Sequence, residues 1–211
     1  MPSFTSDWFT PNIPAWENLF RWIQWDKSAP KLVIEIGCYE GRASLWIVDN
    51  LLENEASRLY CVDVFTGLHE PGSYYQRFQQ NITESDRRSR IIVRATTSIE
   101  FLIDFAAAGQ KADFIYVDGA HRAANVLEDL VLSFRVLRNG GIIICDDYLG
   151  GDASRSDVTL SSPKVAIDAF TTIFRDRIEI FSGQPLYQLA FRKLRDLADD
   201  DPTARGLALE D

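Results

Sequence analysis

The stretch KLVIEIGCYEG, residues Lys31–Gly41, contains the junction that decides the fold. Lys31–Ile36 is mostly apolar and predicts a strand buried on both faces of a sheet. Gly37 and Gly41 mark a turn after it, and Arg42–Leu52 follows with the pattern of a helix. A strand, a glycine turn and a helix in this order predict the first unit of a parallel sheet.

The same alternation continues through the middle of the chain. Four further apolar runs predict strands, at Arg58–Val64, Arg90–Arg94, Asp113–Val117 and Gly141–Cys145. Helical patterns separate and follow them, at Tyr74–Thr83, Ile99–Ala108, Ala123–Leu137 and Pro163–Phe174. The third of these helices has apolar residues at a period close to 3.6, and Asn139-Gly140-Gly141 is predicted to end it.

The last part of the chain departs from this alternation. Arg177–Phe181 and Pro185–Phe191 predict strands with only Ser182, Gly183 and Gln184 between them. A gap this short joins antiparallel strands, because a parallel pair needs a long crossover. The sequence therefore predicts an α/β fold with a Rossmann-like seven-stranded, mostly parallel sheet, a C-terminal antiparallel hairpin and helices on both faces.

The chain divides into three predicted regions. Residues 31–194 form the sheet domain, and residues 195–211 are predicted to be an acidic, solvated tail. Residues 1–30 contain four of the five tryptophans, so we predict a Trp-rich helical segment there. This segment is expected to be either a lid over a ligand site on the sheet or a contact in a homo-oligomer. A helix that simply packs on the sheet explains these residues equally well.

The composition is that of a globular protein, with 46% hydrophobic and 25% charged residues. The longest apolar runs, such as Ile142–Cys145, are far shorter than the roughly 20 residues of a membrane helix, and we expect no signal peptide. Cys38, Cys61 and Cys145 lie in or beside apolar runs, which predicts reduced, buried thiols in a cytoplasmic protein. A net charge of −9 argues against a nucleic-acid partner.

The glycine turn suits a nucleoside ligand without a pyrophosphate. Gly37 and Gly41 have the spacing G-x-x-x-G, with Glu35 two residues earlier, and the dinucleotide pattern G-x-G-x-x-G is absent here. Asp63 ends the second predicted strand, where a carboxylate can accept hydrogen bonds from both hydroxyls of a ribose. A tight turn without a ligand and an aspartate that caps a loop are the structural alternatives.

Carboxylates also end the fourth and fifth predicted strands, at Asp118 and at Asp146-Asp147. Neighbouring strands end at the same sheet edge, so these groups should meet, and their repulsion would raise their pKa values unless a cation lies among them. A hard divalent cation such as Mg²⁺ fits that need. His121 follows Asp118 closely enough to face the same crevice and to take a proton near neutral pH.

Each of these residues also has a structural alternative. Asp118 can form a turn, Asp146 and Asp147 can cap a loop, and His121 can cap a helix. Their shared position at one sheet edge favours a site over four separate coincidences. The other histidine, His69, receives no role.

These motifs resemble class I S-adenosylmethionine-dependent methyltransferases. The resemblance is carried by EIGCYEG at Glu35–Gly41, by Asp63, and by DGAH at Asp118–His121 followed by Asp146-Asp147. The D-G-x-H…D-D pattern is similar to metal-dependent O-methyltransferases that act on sugars of macrolides. Cephalosporin-hydroxylase-like proteins and catechol-type O-methyltransferases share related metal positions. The resemblance covers about residues 31–191.

The resemblance implies contacts to S-adenosylmethionine from Glu35, Gly37, Gly41, Asp63, Thr97, Ser98 and Asp118. Asp63 would bind the ribose, and Thr97 and Ser98 would contact the adenine.

The resemblance also implies a metal and a base. Asp118, Asp146 and Asp147 would hold Mg²⁺, and His121 would be the general base. The expected activity is O-methylation of a small-molecule hydroxyl of sugar or natural-product type. The macrolide enzymes are larger than this chain, and residues 66–90 with the N-terminal segment would replace their substrate-recognition segments.

Two other functions stay open at this point. One is a nicotinamide-dependent oxidoreductase on a similar sheet, against which the absent G-x-G-x-x-G and the terminal hairpin argue. The other is a cofactor-binding protein without turnover, against which His121 and its neighbouring carboxylates argue.

Overall fold

The computed structural model describes residues 2–65, 73–150 and 160–197. The described strands are β1 (Leu32–Ile36), β2 (Arg58–Asp63), β3 (Ile91–Ala95), β4 (Ala112–Val117), β5 (Leu137–Cys145), β6 (Ile178–Phe181) and β7 (Leu189–Lys193). The described α-helices are α1 (Ile13–Trp22), α2 (Arg42–Asn50), α3 (Tyr74–Thr83), α4 (Ser98–Ala107), α5 (Ala123–Val136) and α6 (Pro163–Ile173). Short 3₁₀ helices precede α1 at Thr10–Asn12 and β3 at Arg88–Arg90.

The strands form one seven-stranded sheet in the order β3-β2-β1-β4-β5-β7-β6. The first five strands are parallel, and β7 is antiparallel to both β5 and β6. The predicted fold class is therefore confirmed. The strand order reverses between β1 and β4, so the loops that follow these two strands lead away from each other. They leave a crevice at the carboxyl ends of the strands, which is where ligands bind in such sheets.

Helices cover both faces of the sheet, as predicted. Along β4, Phe114 and Tyr116 belong to the apolar cluster that includes residues of α1 and α2, whereas Ile115 belongs to the cluster that includes residues of α4, α5 and α6 on the other face. Side chains of a strand alternate between faces, so a strand covered on both sides needs apolar residues at every position. This is why the predicted strands lack an alternating polar pattern.

Most element boundaries agree with the prediction to within two residues, but the starts of β5 and β7 differ by four. The helix α5 ends at Val136, and β5 begins at once, so Gly140 lies inside the strand and does not end the helix. Leu137 pairs with Ala112 before a register shift, and Gly140 has a φ of +82°. Pairing with β4 thus begins directly after α5 and leaves no loop between the helix and the strand. The glycines accommodate the register shift within β5.

The loop between β6 and β7 is also longer than predicted. The sequence predicts a strand over Pro185–Phe191, but β7 begins only at Leu189. Pro185 has no N–H for a ladder, and its carbonyl accepts a hydrogen bond from the Gln188 N–H at 2.9 Å, which forms a turn. The antiparallel orientation of β6 and β7 is nevertheless as predicted.

The N-terminal segment contains a helix packed on the sheet. Trp16 is fully buried, and its ring makes edge contacts with Trp46, Phe114 and Tyr116. This matches the alternative of a packed helix for part of residues 1–30, while the roles as a lid and as an oligomer contact stay predictions. Most of the predicted acidic tail lies outside the described residues.

Cys38, Cys61 and Cys145 are buried free thiols, as predicted. None of the helices in the described parts of the chain has the length and hydrophobicity of a membrane span.

A glycine is required at position 37, because the turn after β1 touches the backbone that follows β4 there. It has a φ of +82°, and a Cβ there would overlap the carbonyl of Asp118 and lie 2.7 Å from Cα of Gly119. We expect Gly37→Ala to lower the free energy of unfolding by on the order of 3 kcal/mol, from the strained φ and the overlap together.

Gly109 supplies a matched control for this substitution. It also has a positive φ, +66°, but a Cβ there meets nothing within 4 Å. Gly109→Ala should therefore cost only about 1 kcal/mol, from backbone strain alone. Urea unfolding of both variants measures the difference, and equal costs would contradict the close approach at Gly37.

Candidate active site

A cleft of about 990 Å³ opens at the carboxyl ends of the parallel strands. Nine of the ten predicted site residues line it: Glu35, Gly37, Asp63, Thr97, Ser98, Asp118, His121, Asp146 and Asp147. Gly41 does not line the cleft. It precedes α2 with a φ of +83°, and a Cβ there would lie 3.0 Å from the Phe78 ring, so its contact is with α3.

Asp63 fixes the shape of the glycine turn. Its Oδ2 accepts hydrogen bonds from the N–H groups of Cys38 at 2.8 Å and Tyr39 at 3.2 Å, and its Oδ1 accepts one from Phe65 at 2.7 Å. Asp63 thus caps a loop, as the structural alternative proposed. The Tyr74 hydroxyl donates a fourth hydrogen bond, to Oδ1 at 3.4 Å, and a carboxylate has about four acceptor positions. The contact of Asp63 to a ribose stays a prediction.

Aromatic side chains that the sequence analysis did not single out stand beside this turn. Tyr39 has a φ of +46°, and its ring stacks on Tyr74 with centroids 5.5 Å apart. The Trp8 ring also contacts Tyr39, with centroids 5.0 Å apart, and Trp8 is 70% exposed. All three rings line the cleft. Tyr39 lies inside the glycine turn, so the sequence alone could have indicated an aromatic side chain at this site.

Glu35 is buried beneath the turn with 1% of its surface exposed. Its Oε2 accepts a hydrogen bond from the Ser44 hydroxyl, and the Cys61 thiol lies 3.6 Å from the same oxygen. Burial raises the pKa of Glu35 to about 8, so the group is mostly protonated at neutral pH. Its contact to a cofactor stays a prediction, and that contact would involve a neutral carboxyl group.

Glu35→Gln should remove a pH dependence of folding stability. The folded-state pKa of about 8 lies above the ordinary value of 4.5. Between these pH values the folded chain holds a proton that the unfolded chain has released, so the free energy of unfolding falls as the pH rises through this window. This one group contributes a slope of up to roughly 1.4 kcal/mol per pH unit.

Glutamine keeps the acceptor for Ser44 but does not titrate. Urea unfolding at several pH values should show wild-type stability falling relative to that of Glu35→Gln from about pH 5 to about pH 8. Stability curves that stay parallel over this range would contradict the assignment.

Asp118, His121 and Asp147 form an acid–histidine cluster. Each offers one oxygen or nitrogen atom, and these three atoms all lie within 4.8 Å of one another. His121 Nε2 is 2.9 Å from Asp147 Oδ2. Asp147 has a φ of +53°, an unusual backbone conformation for a non-glycine residue that is often found at functional sites.

The charges in this cluster perturb one another. Desolvation, and then the nearby Asp146 and Asp147 carboxylates, hold the pKa of Asp118 well above its usual range. The hydrogen bond to Asp147 raises the pKa of His121. Crowded carboxylates with one imidazole as their cationic partner form an electrostatic environment that favours a bound cation.

Asp146 lies next to the cluster but does not belong to the three-residue set. Its Oδ2 accepts hydrogen bonds from the Tyr116 hydroxyl and from Gln188 Nε2, and its Oδ1 accepts the N–H of Asp147 at 2.8 Å. Its predicted role as a metal ligand stays a prediction. Gln188 was missed because its position was predicted to lie in a strand.

Thr97 and Ser98 lie at another part of the cleft. Thr97 caps α4 by a capping box with Glu100, and the Ser98 hydroxyl donates a hydrogen bond to Asp129. Burial raises the pKa of Asp129 to about 6. Asp129 was missed by the sequence analysis, although a carboxylate on the apolar face of α5, three residues after Val126, was a visible signal.

Both the sequence and the fold are similar to those of known methyltransferases. A family model described as a methyltransferase domain matches residues 34–148, more than half of the chain. A search of curated protein sequences finds no match.

Solved structures share the fold at low sequence identity. One is the O-methyltransferase TomG from Streptomyces achromogenes, involved in tomaymycin synthesis and solved with SAM, with a TM-score of 0.67, 16% identity, and coverage of 92% of this chain and 84% of that one. Another is the MycE methyltransferase of mycinamycin biosynthesis, solved with Mg, SAH and mycinamycin VI, with a TM-score of 0.60, 20% identity, and coverage of 95% and 53%. This chain thus spans about half the length of MycE.

A third similar structure is a putative rRNA-methylase from Clostridium thermocellum, with a TM-score of 0.64, 11% identity, and coverage of 88% of this chain and 97% of that one. These likenesses are in fold, whereas the family model matches the sequence itself. The matched segment contains the glycine turn, Asp63 and the whole acid–histidine cluster. This chain therefore belongs to the methyltransferase-domain family and has the fold of S-adenosylmethionine-dependent O-methyltransferases.

Proposed function

We propose that this chain transfers the methyl group of S-adenosylmethionine to a hydroxyl group of a neutral small molecule, with a divalent cation bound at the acid–histidine cluster. The observation that carries the proposal is the meeting of Asp118, His121 and Asp147 in the same cleft as the glycine turn. The proposed nucleoside site and the proposed acid–base site would thus share one cavity.

The charge of the cleft favours a cationic cofactor. Seven acidic residues line it in the part of the chain that the structure describes: Asp7, Glu35, Asp63, Asp118, Asp129, Asp146 and Asp147. Glu35 is mostly protonated at neutral pH, so the negative charge comes from the other carboxylates. Arg42 also lines it, but its guanidinium donates to Thr10 Oγ1 at 2.7 Å and lies 3.5 Å from Asp7. A negative cleft attracts the sulfonium of S-adenosylmethionine more than the neutral sulfur of its product.

The donor set of the cluster fits a divalent cation. Its two carboxylates, together with water, suit Mg²⁺ or Mn²⁺. The MycE complex contains Mg, which supports this part of the proposal by likeness of fold. Asp118 and Asp147 would hold the ion through their oxygens, and Asp146 would be a further ligand or would orient Asp147.

His121 would act as the general base. Its hydrogen bond to Asp147 fixes the ring and leaves the other ring nitrogen to accept a proton from the acceptor hydroxyl. When bound, S-adenosylmethionine supplies the methyl group, and a divalent cation at the cluster would lower the pKa of that hydroxyl. Alignment of the two reactants in one cleft would supply much of the remaining rate gain.

The cleft also restricts the acceptor. Its acidic lining repels phosphates and carboxylates, whereas the rings of Trp8, Tyr39 and Tyr74 offer apolar faces. A neutral sugar or a planar natural product fits these surroundings. Methylation of rRNA is the competing function suggested by two likenesses in fold, and both the cleft and the net charge of −9 oppose it.

Two measurements test this proposal. Calorimetry should show binding of S-adenosylhomocysteine and none of NADH. A screen with radiolabelled S-adenosylmethionine should then show transfer to neutral sugars, catechols or related hydroxyl compounds, with at least about tenfold lower transfer to their phosphorylated counterparts. Binding of NADH alone, or transfer to rRNA but to no small molecule, would refute the proposal.

A further inference from the structure

A buried chain of hydrogen bonds connects the N-terminal helix to the carboxylates of the site. The Trp16 indole N–H donates to Gln188 Oε1 at 2.8 Å, and Gln188 Nε2 donates to Asp146 Oδ2 at 2.9 Å. Trp16 is fully buried, and Gln188 is 4% exposed. The two residues are 172 positions apart in the sequence and meet only in the fold.

The chemistry of the partners fixes the orientation of the Gln188 amide. An indole can only donate, and an ionised carboxylate can only accept. The amide oxygen must therefore face Trp16 and the amide nitrogen must face Asp146. A flipped amide would place donor against donor and acceptor against acceptor, at the cost of unsatisfied buried groups.

Asp146 connects Gln188 to the acid–histidine cluster. Its Oδ2 also accepts the Tyr116 hydroxyl, so two donors hold one oxygen. Its Oδ1 accepts the N–H of Asp147, which adopts a φ of +53°. The Asp147 carboxylate in turn contacts His121.

We propose that Trp16 and Gln188 are positioning residues of the active site: they orient Asp146, and through it they set the placement of Asp147 and His121. The part of this inference that concerns catalysis rests on the proposed function. It gives the N-terminal helix a role in the chemistry although Trp16 itself contacts no residue of the acid–histidine cluster through a described hydrogen bond.

The test compares two tryptophan-to-phenylalanine variants. Trp16→Phe removes the indole N–H and keeps an aromatic ring. Trp46→Phe is the matched control, because Trp46 is buried in the same aromatic cluster, 5.5 Å from Trp16 between ring centroids, and takes no part in the described hydrogen-bond chain. Gln188→Met provides a second route, since it removes both polar ends of the side chain at similar volume.

The first readout uses the protein without any metal or cofactor. The chain has two histidines, so the imidazole NMR signals of His121 can be assigned by comparison with a His69 variant. At a fixed pH, Trp16→Phe and Gln188→Met should shift these signals, and Trp46→Phe should leave them unchanged. Unchanged His121 signals in Trp16→Phe and Gln188→Met would overturn the inference.

The second readout is the affinity for Mn²⁺, measured by electron paramagnetic resonance. Loss of an outer hydrogen bond to a metal site typically lowers metal affinity about 10- to 100-fold, which is the loss expected for Trp16→Phe and Gln188→Met. Equal affinities in Trp16→Phe and Trp46→Phe would count against positioning. A wild-type chain that binds neither Mn²⁺ nor S-adenosylhomocysteine would refute the proposed function, while the metal-free His121 signals would still decide the positioning claim.

Discussion

His121→Ala should lower kcat by about 10²- to 10⁴-fold and change the affinity for S-adenosylhomocysteine by less than about twofold. The imidazole is hydrogen-bonded to Asp147 in the cleft, where it can take the proton of an acceptor hydroxyl. The described polar contacts of the glycine turn do not include it, so cofactor binding should survive. Initial rates and calorimetry with S-adenosylhomocysteine measure the two quantities on the same preparation.

The variant also allows a rescue experiment. If the ring acts as the base, added imidazole should restore part of the activity of His121→Ala without changing its affinity for S-adenosylhomocysteine. A loss of cofactor affinity equal to the loss of kcat would show that His121 supports the fold of the cleft and not the chemistry. Full activity of the alanine variant would remove the residue from the mechanism.

Chelation of divalent cations should lower turnover by about 100-fold or more, and added Mg²⁺ or Mn²⁺ should restore it. The prediction follows from the crowding of Asp118, His121 and Asp147, where the pKa of Asp118 is held well above its usual range. Binding of S-adenosylhomocysteine should persist in the chelator, since the glycine turn is shaped by Asp63 and not by the cluster.

Two aspartate variants locate the metal. Asp147→Asn should raise the Mn²⁺ concentration needed for half-maximal activity by about tenfold or more, because a neutral amide replaces a charged ligand. Asp168→Asn is the control, since Asp168 pairs with Lys164 and Tyr148 outside the cleft and should leave the metal requirement unchanged. Full activity in excess chelator would exclude a metal from the mechanism.

The local pattern of the sequence was sufficient for the fold class. Apolar runs such as those of β1 and β4 are buried on both faces, so their hydrophobicity alone identifies them as central strands of a parallel sheet. Boundaries were less predictable where tertiary pairing competes with local signals. Gly140 lies in β5 although a glycine pair normally ends a helix, because pairing with β4 begins at Leu137.

The candidate site was predictable to the extent that it depends on strand ends. Asp63, Asp118 and Asp147 follow directly from the rule that parallel strands present their carboxyl ends at one edge. Gln188 and Trp16 could not be found in this way, because their partners lie far away in sequence. The raised pKa of Glu35 could not be predicted from the sequence either. It depends on how completely α2 and its neighbours exclude water from the carboxyl group.

The sequence by itself determined the parallel sheet, the glycine turn at Gly37 and the set of carboxylates at the strand ends, because these depend on periodicity and on backbone freedom that each short segment carries on its own. The tertiary structure decided that Asp147 contacts His121, that Asp146 is held by Gln188, and that burial raises the pKa of Glu35. Hydrogen bonds and desolvation depend on which distant segments come together, and no local pattern contains that information.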